Sequence, residues 1–565
     1  MTAGPRRTTR AASWAIAALC ALAFAPVAGA HSVLIATEPA RDAVVAESPR
    51  RVLLRFNEPV ESALGSIRVY NGDGERADAE TITRPSPKEV TVAVDGEHAR
   101  GTYTVAWRVI SADSDPISGA FVFHVGAPGP QPSGIAAQVL EGTPMLVSVF
   151  YTGGRFFDFG LLLLTAGGVA ALAVSLRTAE PALRRRLFVV IAALAFALAV
   201  VAILGIVFQG AAAGGFGLGE AFSWDVFSSV AGTRYGKASL VQAGLAVALV
   251  GTVVVLTRFR RFDGLTVTVL LLALVAGMIV TPSASGHAST AGPLGFVADF
   301  AHVAAAAIWT GGLAFVACGL ALAGSGRWPL ATRCVPVFSL MAVGSVAVLL
   351  LAGIVNGYLQ VRTWSGLWET RYGLLLLAKV GLVLPLLALG AYNNRYSVPR
   401  LRAGIASVLE RRRFLRAVGA ELAIMTSIVA VTAVLVNAEP ARTELVMHGS
   451  TEAMADLGGG VEAHVMVDPA MAGDNAIHIR FAAAGAHEGA EALEFAEVNV
   501  AATLASKGLG PLRYKARPIP GAHGEYVVEN AELPLAGDWQ LRIEARRGEF
   551  ELLAQTVSIA IREES

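Results

Sequence analysis

Asp299 and His302 lie three residues apart inside a long apolar stretch, a spacing that puts a carboxylate and an imidazole on one helix face, continued by Ala306 and Trp309. His287 precedes that stretch, and Lys379 supplies an opposite charge from a later apolar run. An ionisable group at the centre of a bilayer costs ~2.5 to 3.5 kcal/mol on insertion scales, so each needs a partner and a purpose. The order His287 then His302 suits inward passage of a metal ion. Asp299 would either fix the imidazole tautomer or accept a proton. The competing reading is structural: Asp299 and Lys379 form an ion pair, and His302 hydrogen-bonds a neighbouring helix.

A second set of donors lies near the C-terminus. Four of the nine methionines, Met447, Met454, Met466 and Met471, fall in a short stretch with His448, His464 and His478. Thioether and imidazole together suit a soft or borderline metal, and His464 and Met466, two apart, share one face of a strand. Met447, His448, His464 and Met466 are the candidate ligands there, with methionine as core filler the alternative. Within the apolar stretches Met278, Met341 and Met425 are scattered and form no ladder of soft donors. Cys318 and Cys334 are isolated thiols, so no disulfide framework is expected.

The elements that must hold these groups follow from composition and pattern. A chain of 565 residues that is 54% hydrophobic and 16% charged is too apolar for one soluble domain and too long for one core. A net charge of +1 gives no uniform basic field, which argues against nucleic acid as a partner. Residues 1–30 read as a secretory signal peptide, with Arg6, Arg7 and Arg10 before an apolar run and Ala28-Gly29-Ala30 at the cleavage position. Cleavage there makes His31 the new N-terminus; the Arg6-Arg7 pair leaves twin-arginine export as an alternative.

From 31 to 126, short alternating runs such as Val52-Leu53-Leu54-Arg55-Phe56, separated by turns such as Asn71-Gly72-Asp73-Gly74, predict a small antiparallel β-sandwich of Ig-like or cupredoxin-like type. A Gly- and Pro-rich linker follows over 127–144. Eight apolar stretches, each near the ~20 residues a bilayer requires, fall at about 145–176, 187–209, 238–257, 263–283, 295–323, 335–358, 372–392 and 417–437. They make 145–437 an eight-helix transmembrane bundle. An even count puts both terminal domains on one side, and the signal puts that side outside. Arginines concentrate in the loops this assigns to the cytoplasm, at Arg184, Arg185, Arg186, Arg258, Arg260, Arg261, Arg411, Arg412 and Arg413, as the positive-inside rule requires. The expected location is the cytoplasmic (inner) membrane, multi-pass. After Glu439-Pro440 the composition turns soluble, and alternation over 447–565 predicts a second small β-sandwich.

Three stretches resemble known families. His31, Thr37-Glu38-Pro39-Ala40, the run Leu54 to Glu61 and the closing run Tyr103 to Val125, with Arg108 to Asp113 and Ser118-Gly119-Ala120-Phe121, resemble the CopC copper-binding family. Gly286-His287-Ala288, Asp299, His302, Trp309, Gly311-Gly312, Tyr372-Gly373 and Lys379 resemble the CopD family. Asp468-Pro469, Gly473-Asp474-Asn475 and Gly537-Asp538-Trp539 are similar in pattern to small YtkA-like domains. The resemblance implies a natural CopC–CopD fusion that binds extracytoplasmic copper and moves it towards or across the membrane.

On that reading Cu(II) is the cargo at the first domain. An N-terminal histidine offers its α-amine and imidazole in one chelate, which suits the tetragonal preference of Cu(II). The resembled family closes its site with Asp-Gly-His-Pro, whereas this chain reads Asp113-Ser114-Asp115-Pro116. The aspartate carries over and the histidine does not, so the expected ligands are His31 and Asp113, with Asp115 a fourth donor or a bystander. A carboxylate in place of imidazole weakens such a site. The alternative has Asp113 and Asp115 only initiating a turn before Pro116. Copper import and homeostasis without enzymatic activity is the leading function, with the copper ion and the bilayer as partners and other extracytoplasmic copper proteins as further candidates. A copper buffer or delivery protein is the first alternative. A b-type haem oxidoreductase is disfavoured by the single clearly intramembrane histidine.

Overall fold

The computed structural model describes residues 34–41, 43–56, 59–61, 67–95, 100–111, 116–129, 144–259, 264–286, 292–362, 364–438, 441, 451–468, 470–483, 493–518, 524–548 and 551–562. Strands β1 (Leu34–Glu38), β2 (Val44–Val45), β3 (Arg51–Phe56), β4 (Val60–Glu61), β5 (Ile67–Tyr70), β6 (Asp78–Ser86), β7 (Glu89–Val94), β8 (Gly101–Ser111) and β9 (Pro116–Val125) form the N-terminal sandwich. One sheet runs β1-β3-β7-β6; the other runs β2-β9-β8-β4, with β5 also paired to β8. Alternation in the sequence becomes burial: Val52, Leu54, Phe56, Val90 and Val92 meet Val105, Trp107 and Phe123 between the sheets. Phe56 and Trp107 pack edge to face at 5.5 Å. Gly119 is required beneath that indole, because a Cβ there would sit 2.5 Å from Trp107 Cζ2.

Among the described residues, eight helices are long and apolar enough to cross a membrane: α1 (Met145–Ala173), α2 (Pro181–Gly214), α3 (Arg234–Phe259), α4 (Leu265–Ser285), α5 (Gly292–Leu322), α6 (Gly324–Val361), α7 (Arg371–Arg402) and α8 (Val408–Leu435). They match the eight apolar stretches, with α6 and α8 starting earlier than hydropathy alone indicates. The start of α8 is set by a capping box in which the Ser407 hydroxyl accepts from the Glu410 amide and the Glu410 carboxylate accepts from the Ser407 amide.

Helices in lipid associate through close packing of small residues. Here α1 and α5 meet at Gly167 and Gly311, and a Cβ on Gly311 would collide with the Leu163 carbonyl. The contact falls on a π-helical turn of α5, Ala307–Gly311, five residues beyond His302. A second π-helical turn, Asn393–Ser397, interrupts α7. Such turns add a residue to the helix and re-aim side chains, and they recur at functional sites.

The C-terminal region is one antiparallel sheet of eight strands, β10 (Thr451–Gly458), β11 (Val461–Asp468), β12 (Gly473–Ala483), β13 (Glu497–Leu504), β14 (Leu509–Pro518), β15 (Glu525–Leu533), β16 (Gly537–Arg547) and β17 (Glu551–Ile561). The order β10-β11-β12-β15-β14-β13-β16-β17 nearly closes, with β10 beside β17. The expected two layers are thus halves of a single curled sheet, its inner faces filled by Trp539, Phe481, Ile543 and Val465. Tyr526 on β15 holds the segment that leads into β13: its hydroxyl donates to the Phe495 carbonyl and accepts from the Phe495 amide, each at 2.7 Å. Burial raises the pKa of that hydroxyl above the ordinary tyrosine value.

Candidate metal centre

His302 lies ten residues into α5, about 15 Å along the helix from its start at the canonical rise. Its imidazole faces α6 at Gly353, where a Cβ would come within 3.3 Å of the ring's Cε1. A side chain there would crowd the ring. Nδ1 is buried without a partner at hydrogen-bonding geometry, and the Leu349 backbone of α6 is the hydrogen-bonding group that acts on the ring.

Asp299 sits one turn above His302, where its Oδ2 accepts from the Ser283 hydroxyl at 2.6 Å. Lys379 on α7 acts electrostatically on both Asp299 and His302. A carboxylate, an imidazole and an ammonium from two helices therefore share one field in the bundle.

The carboxylate belongs to a wider polar band that the sequence did not reveal. Pro282 inside α4 cannot donate to the carbonyl of Met278, and the Thr281 hydroxyl compensates at 2.8 Å. The same hydroxyl lies 2.6 Å from Gln242 Oε1 on α3, whose amide donates to Asp158 on α1 at 2.8 Å. Asp158 is thereby tied across helices, and the Arg155 guanidinium lies 4.7 Å from the centre of the Tyr235 ring. The signal available beforehand was Thr281-Pro282-Ser283, a helix-breaking residue flanked by hydroxyls that end up serving two different neighbours.

A second polar group lies further along α7. Asn393 donates to Glu421 Oε1 on α8 at 2.6 Å, and Ser397 donates to Asn393 Oδ1 at 3.0 Å. Asn393 and Glu421 line a cavity among α5, α6, α7 and α8 that Trp309 also borders. Trp309 is seven residues beyond His302 on α5, inside the π-helical turn.

The other predicted ligands divide. His31, Asp113, Asp115, His287, Met447 and His448 lie outside the described residues; segment 112–115 connects β8 to β9, which are adjacent in their sheet. His464 and Met466 lie on β11 with their neighbours Val465 and Val467 buried beneath. His124, read as a surface residue, points out of the N-terminal core and bonds Thr102 Oγ1 through Nδ1 at 2.9 Å. Cys318 and Cys334 are unbridged. Among the described residues no three His, Cys, Asp or Glu side chains converge on one point.

Comparison with known proteins finds family matches to three segments of the chain. The CopC domain model matches residues 34–126. The model for the N-terminal domain of copper resistance protein D-like proteins matches 145–296, and that for copper resistance protein D matches 332–435. Asp299 and His302 fall between the last two segments, and Lys379 inside the second. The chain is 28% identical to the copper transport protein CutJ of Bacillus subtilis over 95% of its own length and 97% of that protein's. It is 29% identical to protein YobA of Escherichia coli K12 over 21% of its length and 97% of YobA. The crystal structure of CopC from Methylosinus trichosporium OB3b aligns at 32% identity over 18% of this chain and 98% of that one, with a TM-score of 0.16. This polypeptide therefore joins a CopC domain to the two segments of a CopD copper-resistance region in one multi-pass membrane chain.

Proposed function

We propose that the protein takes up copper outside the cytoplasmic membrane and carries it inward through the helical bundle. Capture falls to His31 and Asp113, with Asp115 as an auxiliary donor, and His287 relays the ion to His302. The observation that supports the inner step is the His302 imidazole, enclosed in the bundle against Gly353, with the Lys379 charge acting on it and Asp299 one turn away on the same helix. Imidazole is a good ligand for copper in either oxidation state. Asp299 holds negative charge beside the arriving cation, while Lys379 limits how strongly the site retains it. Ions then leave towards the cavity past Trp309, where Glu421 and Asn393 supply oxygen donors. The related CutJ is named a copper transport protein, and its match over nearly the whole chain favours transport over simple buffering.

Copper accumulation in cells carrying the intact chain, His302→Ala, or a chain truncated before Pro144 tests this reading. Import requires lower intracellular copper in both altered strains at equal protein abundance. Unchanged accumulation with His302→Ala would leave a buffer or delivery role as the better account.

A further inference from the structure

We propose that Met454, His464, Met466 and His478 form a Cu(I) site on the outward face of the C-terminal sheet. The strand register carries the assignment. Met454 on β10 is directly opposite His464 on β11, and Met466 on β11 is directly opposite His478 on β12. Directly opposed residues in an antiparallel sheet share a face, with Cβ atoms ~4.5–5.5 Å apart. The alternating residues Ala455, Val465, Val467, Ile477 and Ile479 are buried on the other face. Two thioethers and two imidazoles thus occupy adjoining positions across three neighbouring strands.

Filling the core does not explain these methionines. Met454 is 64% exposed, and Met466 alternates with buried valines on the side away from the core. An unbranched thioether is a soft donor, and its flexible arm adapts to a metal as readily as to a packing gap. All four donors are neutral when they ligate, and the same face carries charge of both signs, with Arg480 opposite His464 and Glu452 opposite Met466 in register. The two thioethers are what favour monovalent copper over Cu(II). The site would hold copper outside the bundle, independently of His302. The inference rests on copper being the cargo, not on its passage through the helices.

The test is an anaerobic titration of the full chain in detergent with Cu(I) against a chromophoric Cu(I) chelator. It compares wild type, the Met454→Leu/Met466→Leu double variant and His302→Ala. Leucine keeps volume and apolarity, so the sheet is retained; His464→Gln/His478→Gln provides a second variant on the same face. The expected result is one Cu(I) equivalent that is lost, or bound at least about tenfold more weakly, in both sheet variants and kept in His302→Ala. X-ray absorption of that equivalent should show sulfur and nitrogen neighbours. Unchanged stoichiometry and affinity in both sheet variants overturns the site, as does a copper shell without sulfur. Loss confined to His302→Ala also overturns it, while leaving the helical centre intact.

Discussion

His302 and His464 show two opposite ways of presenting an imidazole. His302 is enclosed between α5 and α6 against Gly353, with the Lys379 charge acting on it and Asp299 one turn away on the same helix. His464 stands on a water-facing strand among thioethers, where nothing needs to be kept open. On the proposed reading, specificity in the bundle comes from shape and from charge that the bilayer makes expensive, and on the sheet from donor softness. The first arrangement suits an ion in transit, the second an ion held.

The largest effect that would break this contrast is expected at Gly353. Gly353→Leu puts a branched side chain where the imidazole lies, so copper accumulation should fall to the level of His302→Ala while Cu(I) binding at the C-terminal sheet persists. Accumulation at the wild-type level would show that the enclosed space is irrelevant. Next is Gly311→Val, which forces α1 away from α5 at the Leu163 carbonyl. Overpacking of this kind costs ~1–3 kcal/mol or more, read as a lower midpoint for thermal unfolding in detergent, with transport falling alongside it.

Asp299→Asn sharpens the contrast further. Removing the charge beside His302 but keeping the hydrogen-bonding shape should weaken transport by about tenfold, the range for groups that orient a ligand. The sheet site should be indifferent to it. The smallest effect concerns pH. Glu497 bonds Lys515 and Arg546, each at 3.1 Å, and these contacts hold its carboxyl below the ordinary glutamate value. A lowered folded-state pKa gives stability that is present above the unfolded pKa and lost as pH falls through the folded one. Glu497→Gln should therefore flatten the acid limb of C-terminal domain unfolding slightly, since the pair is solvated. Trp539 fluorescence reports it.

Hydropathy made the eight spans legible because lipid demands long apolar runs. It missed the first turns of α8, where Arg411, Arg412 and Arg413 lie beyond the apolar core and the Ser407–Glu410 capping box marks the true start. The shared helix face of Asp299 and His302 was legible because the two lie three residues apart on one helix. Gly353, Gln242 and Ser283 were not, since each meets its partner from another helix and no local pattern encodes that meeting. The same holds at the sheet. The two-residue spacing of His464 and Met466 was visible, but Met454 and His478 joined them only through strand register, which short alternating runs do not specify.

The central claim is that copper crosses through the enclosed imidazole. Purified protein in vesicles loaded with a fluorescent copper chelator measures this directly when copper is added outside. The account predicts signal from the intact chain and from Met454→Leu/Met466→Leu, and background from His302→Ala. Equal influx with and without the His302 imidazole would contradict it.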